Sequence, residues 1–554
     1  MSSLPEILEL LVQQHAPNLD YDFPQSLSPF LKTNDLPPES DAKVLRDLSK
    51  HVSDALRLIT TDMESLIDAH SQLKKIQDHL LRVDTDIKTA MPPIECLPVE
   101  MLMQVFKEAT SGKGDALDMR WEPFAISRVC RKWRVVATEQ CPEIWTKFML
   151  ERDIWDCMKN PVALVSLVLS RGAERSLEFK FVASGGNDSD EEAEDARIQS
   201  HYRRVDSVTE QLLQDLVRHC HRWRNVYFSI PARLFHLLSP IQGKLPALVL
   251  FSLDSVADYL AEQSFIVTES HILDGAPLLE DVFVSCYQNE LPVLIPQGVP
   301  NLTSYTDGRT RVGDMTLDRH FLNIICTSPH LKSFSIKHRS PLAIPTPRVM
   351  HPGITRLSAA DGTFLRSLTL PELKNVELYS SALRSRDIHH EISSLYDLVV
   401  HSACNLSSLK VVNCALNENL IHILEASPEL TSLTLQISEW DGGSAQTIKD
   451  LFDRLRSFEH VLVPRLQSLT LTMEDADFLG TDFGLFGHIF GCFIEDRWRK
   501  GILRSVTVTL MINWGVTSPS EFPLSQGCRE KLIRLKDEGM DVKFISRGKS
   551  LLCL

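Results

Sequence analysis

Three short clusters hold residue types that could do chemistry. His219-Cys220-His221 carries metal-ligating side chains, His389-His390-Glu391 could pair a base with an acid, and Arg547-Gly548-Lys549-Ser550 ends as phosphate-cradling loops end. Spacing argues against each. Consecutive residues on a helix point in different directions and cannot share one metal. His389-His390-Glu391 lacks the i, i+4 geometry that sets two ligands on one face, and reads as a solvated helix start. The Arg547 loop lacks the leading Gly and the following helix. The twelve cysteines include no C-x-x-C pair. The nearest pairs, Cys130/Cys141 and Cys404/Cys414, have no matching histidines. Cys130, Cys326 and Cys404 fall in apolar or element-ending patterns, where a thiol behaves as a small hydrophobe. None of the 73 acidic residues sits in an apolar pattern that would shift its pKa. No nucleotide loop, nucleophile elbow or H-E-x-x-H motif occurs. The expectation is a binding protein and not an enzyme, with no metal and no cofactor.

The segment Ile94–Phe148 shows what such binding would use. Leu102, Val105, Phe106 and Ala109 recur at helical spacing after Pro98, which suits a first helical turn. After the stretch Ser111–Arg120, Ile126, Val129, Cys130, Trp133 and Ala137 form a second apolar face, and Trp145 closes the segment. Some fifty residues of this kind bury too little surface to stand alone, so the unit must lean on the chain or on a partner.

This segment resembles an F-box. The family pattern Leu-Pro-x-Glu-x-Leu-x-x-Ile-Phe, a gap, Val-Cys-x-x-Trp-x-x-x-Ala and an apolar residue before Trp is met by Leu97, Pro98, Glu100, Leu102, Val105, Phe106, Val129, Cys130, Trp133, Ala137, Ile144 and Trp145. Val105 and Ile144 are the volume-conserving departures, and the gap is longer than the family's usual one. The resemblance implies docking onto a Skp-family adaptor and, through it, a cullin–RING ubiquitin ligase. Leu97, Pro98, Leu102, Val105, Phe106, Val129, Cys130, Trp133 and Trp145 would form or directly support that interface. TNDLPPES ahead of a long helix, VALVSLVLSRGAERSLEFKF and RHCHRWRNVYFSIP extend the likeness to the large F-box class of mushroom-forming fungi. It is strong from about residue 30 to 253 and diffuse beyond.

A long helix should precede this segment. Pro37 and Pro38 stop any earlier helix and Ser40-Asp41 make an N-cap. Leu45, Val52, Ile59, Leu66, Leu73, Leu80 and Ile87 then repeat at sevens, with Leu48, Ala55, Asp62, Ala69, Ile76 and Val83 as the second row. That is enough heptads for a coiled coil, with Asp62 a defect in the seam. Self-association through 41–90 and packing within the chain both remain open.

Residues 184–195, SGGNDSDEEAED, read as a disordered acidic insert, bounded at 184–197. From about 170 onward an internal repeat appears. SPHLKSFSI at 328–336, SPELTSLTL at 427–435 and VPRLQSLTL at 463–471 align directly, and Leu406-x-x-Leu409-x-Val411-x-x-Cys414-x-Leu416 fits the full leucine-rich-repeat template. Helical stretches such as Arg319–Ile325, Leu420–Ala426 and Ala445–Leu455 lie between copies. In such a strand the apolar residues face inward and the intervening ones outward. The expected target-binding face therefore includes Lys332, Lys374, Glu377, Lys410 and Thr434, mostly adaptable polar groups with few aromatic anchors.

Composition narrows the class further. A 43% hydrophobic and 24% charged content is ordinary for a globular protein. A net charge of −15 ill suits nucleic acid, and no run reaches a membrane span. MSSLPEILELLVQQ does not look like a secretory signal, which places the chain in cytoplasm or nucleus. The expected fold is an α+β or α/β repeat: extension 1–40, coiled-coil-like helix 41–90, helical F-box 91–150 and a leucine-rich-repeat-like solenoid of short parallel strands and helices over 151–554. The expected role is substrate receptor of an SCF-type ligase capturing an unknown protein. The alternative is a coiled-coil scaffold or a member of a non-ubiquitin Skp complex.

Overall fold

The computed structural model describes residues 4–20, 22–32, 36–90, 97–151, 155, 158–183, 196–256, 269–286, 291–294, 296, 299–308, 317–337, 348–360, 362–380, 391–438, 442–456, 461–474, 485–511, 524–546, 549–550 and 552. The chain divides into two compact units, Met1–Pro98 and Val99–Leu554.

The first unit holds the helix Leu4–His15, two 3-10 turns and one 52-residue helix, Glu39–Ala90. The long helix opens just ahead of the expected cap. The Pro38 carbonyl already accepts from the Asp41 and Ala42 N–H groups, and Glu39 and Asp41 complement the positive end of the helix dipole. Along its first half Leu45, Leu48, Val52, Ala55 and Ile59 are half-buried. Asp62, the expected seam defect, is matched: its carboxylate accepts from His15 Nε2 at 2.8 Å. From Leu66 to Ile87 both large apolar rows are exposed.

The second unit is built on a 16-stranded sheet in which each main strand pairs with the next one along the chain. Fifteen strands run parallel, from Gly114–Asp115 through Lys147–Glu151 to Asp541–Ser546, and Lys549–Ser550 closes the sheet antiparallel. Short pairs, Glu269–Ser270 with Val293–Leu294 and Val349–Met350 with Leu368–Thr369, lie outside it. Helices such as Leu317–Thr327, Asn419–Glu425, Gly442–Arg456 and His488–Arg499 return the chain between strands. The architecture is mixed α/β, compatible with a solenoid-like repeat.

Register produces the core. Phe148, Phe179, Val226, Phe251, Val282, Tyr305, Phe334, Leu357, Val376, Leu409, Leu433, Leu469, Val506 and Val542 align across successive strands, and all are buried. Burying each such side chain contributes about 1.5–3 kcal/mol of transfer free energy, which is what the Leu-x-x-Leu-x-Leu pattern encodes. At many strand entries one carbonyl accepts from two successive N–H groups leading into the next strand, as Lys332 O does from Thr355 and Arg356 and Lys374 O from Ser407 and Ser408.

Several boundaries differ from expectation. No break falls at residue 150, because strand Lys147–Glu151 crosses it and pairs with Leu177–Val182. Within the stretch Ser111–Arg120, Gly114–Asp115 joins the sheet edge beside Phe148 and Met149. Residues 184–195 of the expected insert lie outside the described residues, and its last two residues open the helix Ala196–Arg218. Glu391 opens helix Glu391–Ser402 but is buried rather than solvated, while 389 and 390 lie outside the described residues. Cys404 is buried as a small hydrophobe and its thiol is pushed up to about 11 by burial, but Cys326 is exposed.

Candidate functional site

The Leu97–Trp145 set separates into two groups. Helix Val99–Ala109 buries Leu102 and Phe106 and leaves Val105 at 42% exposure. Trp145 is fully buried. Its indole N–H donates to Ala137 O at 2.7 Å, Trp121 and Phe124 meet it edge-on at 5.8 and 5.3 Å, and the Arg171 guanidinium lies 4.6 Å from its ring centre. Leu102, Phe106 and Trp145 are therefore core. Val129 is 60% exposed, Pro98 is exposed, and Leu97, Cys130 and Trp133 are half-buried. Cys130 acts locally, since its sulfur accepts the Trp133 N–H at 3.4 Å and caps helix Arg131–Val135. The Trp133 ring stands 5.0 Å from Phe106 and braces the first helix against the second.

Trp121 and Phe124 are the residues that the family pattern passes over, because they fall in the long gap between its two halves. Gly114 is their signal: a Cβ there would stand 2.2 Å from Trp121 Cδ1, so the strand can pass the indole only without a side chain.

On the sheet, register sets Ser335, Ser358, Glu377, Lys410, Thr434, Thr470, Thr507 and Lys543 in one outward row. Glu377, Lys410 and Thr434 thus stand side by side on adjacent strands. Lys332 and Lys374 are exposed at strand entries, outside this row. Lys410 is ion-paired to Glu377. Both Lys410 and Lys337 approach the Tyr379 ring, at 5.9 and 5.5 Å, and burial together with Glu377 pushes the Tyr379 hydroxyl up. A recess of about 380 Å³ lies over these strands, its polar lining including Arg356, Ser358, Asn375, Glu377 and Lys410. The same face carries Tyr227, beneath the Lys180 ammonium at 5.4 Å, and Phe283, which is 41% exposed. Aromatic anchors are thus present. The repeat pattern hides them because they occupy the places between the leucines.

The His and Cys clusters do not converge on a centre. His219 bonds the Asp215 carbonyl, Cys220 is buried, and His221 faces Glu174 at 3.4 Å. Among the described residues no group of three or more His, Cys, Asp or Glu could hold a metal ion, and no helix is long and apolar enough to cross a membrane.

One carboxylate corrects the reading that none is perturbed. Asp115 is buried and accepts from the Leu117 and Glu151 N–H groups at 2.7 and 3.3 Å. Burial nonetheless raises its pKa to about 6. The folded chain therefore takes up this proton before the unfolded chain does, and stability from this group increases as pH falls from about 6 towards 4. Between about pH 7 and pH 5 the gain should be about 1 kcal/mol. Urea unfolding at the two pH values should show it, and Asp115→Asn should remove this component. An identical pH trend in both proteins would contradict the assignment.

Compared with known proteins, the chain matches no family model and no curated sequence.

Proposed function

We propose that this chain is the target-recognition subunit of an SCF-type cullin–RING ubiquitin ligase, working in cytoplasm or nucleus. The Leu97–Trp145 segment, read as an F-box, docks a Skp-family adaptor. The sheet, read as a leucine-rich-repeat-like solenoid, captures the target protein on its outward face. Catalysis belongs to other subunits; holding target and ligase together raises effective concentration without lowering a chemical barrier here.

The observation that carries this reading is the division within the family-like residues. Leu102, Phe106 and Trp145, with Trp121 and Phe124, already give the segment a closed core. Met101, Val105, Val129 and Val135 remain exposed on the same short segment. A concentration of exposed apolar side chains beside a satisfied core is what a docking surface looks like. For the target, the Tyr379–Glu377–Lys410 cluster and its recess offer an aromatic anchor flanked by charge, a combination enriched at interfaces. Comparing protein half-lives in the native host with and without this chain tests the role. A small set of proteins should persist longer in its absence; no change in turnover would overturn the ligase reading. The exposed rows of helix Glu39–Ala90 favour one second reading, a scaffold that holds the adaptor without a cullin.

A further inference from the structure

The two apolar rows of helix Glu39–Ala90 meet different fates. Up to Asp62 they are half-buried and His15 closes the seam. Beyond it Leu66, Leu73, Ile76, Leu80, Val83 and Ile87 are exposed, Leu73 and Leu80 at 59% each. On a straight helix a strict seven-residue repeat drifts about 20° per heptad, so it stays in line only against another helix that coils alongside. The repeat therefore specifies a helical occupant rather than a flat or globular one.

The side chains of the rows specify which helix. The first row is Leu66, Leu73 and Leu80; the second is Ala69, Ile76 and Val83. Leucine in the first row with β-branched residues in the second is a poor pattern for a parallel pair, in which each row meets itself and Ala69 would face Ala69. Turned antiparallel, the rows complement one another. Leu66 meets Val83 of the second copy, Leu73 meets Ile76 and Leu80 meets Ala69, so every layer joins a leucine to an equal or smaller residue. The flanks agree: Ser65 falls beside Asp86, Gln72 beside His79 and His70 beside Gln77, with no like charges opposed.

We propose that residues 66–83 bind a second copy of this chain as an antiparallel pair of helices centred between Leu73 and Ile76. This interface uses none of the residues assigned to adaptor or target. Sedimentation velocity of the full-length chain should show a dimer. Leu73→Glu with Leu80→Glu should raise its dissociation constant at least about a hundredfold, because each carboxylate would be buried without a partner. Since added charge could also melt the helix, a second readout uses cysteines. Leu73→Cys with Ile76→Cys should join two copies through a 73–76 disulfide under mild oxidation, identified by peptide mass. Leu80→Cys alone should not join to itself. A wild-type monomer, a dimer unaffected by the two glutamates, or efficient self-linkage of Leu80→Cys would each overturn the proposal.

Discussion

A chain carrying Val105→Glu together with Val129→Glu is expected to lose about thirtyfold or more in affinity for a Skp-family adaptor while keeping its fold. Both side chains face water, so the substitutions remove nothing from the core. On the bound adaptor each carboxylate would be desolvated against apolar surface, at a cost of about 1–3 kcal/mol apiece. Calorimetric titration measures the loss, and an unchanged melting profile shows that the fold survives. Undiminished binding would remove Val105 and Val129 from the interface. Truncating Trp133 is less diagnostic, because its ring also braces Phe106 and a loss could be structural.

Arg497→Met should be strongly damaging to the sheet unit, at about 3–5 kcal/mol. Its guanidinium is buried and donates to three backbone carbonyls, Val463 at 2.7 Å, Leu462 at 2.5 Å and Leu455 at 3.2 Å. Burial pulls its pKa down to about 10, which still leaves it charged at neutral pH. The loop it holds is strained: Val463 has φ of +41°, a region that β-branched residues avoid. Methionine would fill the volume but leave three carbonyls without these donors. Hydrogen exchange should show the amides of helix Gly442–Arg456 and strand Ser468–Glu474 losing protection first. Protection equal to wild type would mean that water satisfies these carbonyls and the arginine is dispensable.

Most of the sheet is legible in the sequence because its chemistry is periodic. At the triplets of the aligned repeat copies, as at Leu406, Leu409 and Val411, the strand forms and the triplet is buried. Strands Ser304–Asp307 and Arg356–Ala359 escape the pattern, since Asp307 and Ala359 take the third place where a large apolar residue announces it. Neighbouring strands supply register there. The docking segment is legible as a set of residue types, but not in its division between core and surface. Trp145 and Val129 look alike as apolar positions of one motif, and only the packing of Trp121 and Phe124 in the gap decides that one is enclosed and the other is left in water. The outward face is legible in position more than in partnership. Lys410 looks like a free cation in the sequence, whereas strand pairing sets it against Glu377.

The most direct test of the receptor reading is reconstitution. Purified full-length chain, a Skp-family adaptor and the matching cullin should co-elute as one stoichiometric complex, and omitting the adaptor should release the cullin. Failure of the adaptor itself to bind would contradict the docking site, and adaptor binding that excludes cullin would contradict the ligase role while leaving the scaffold.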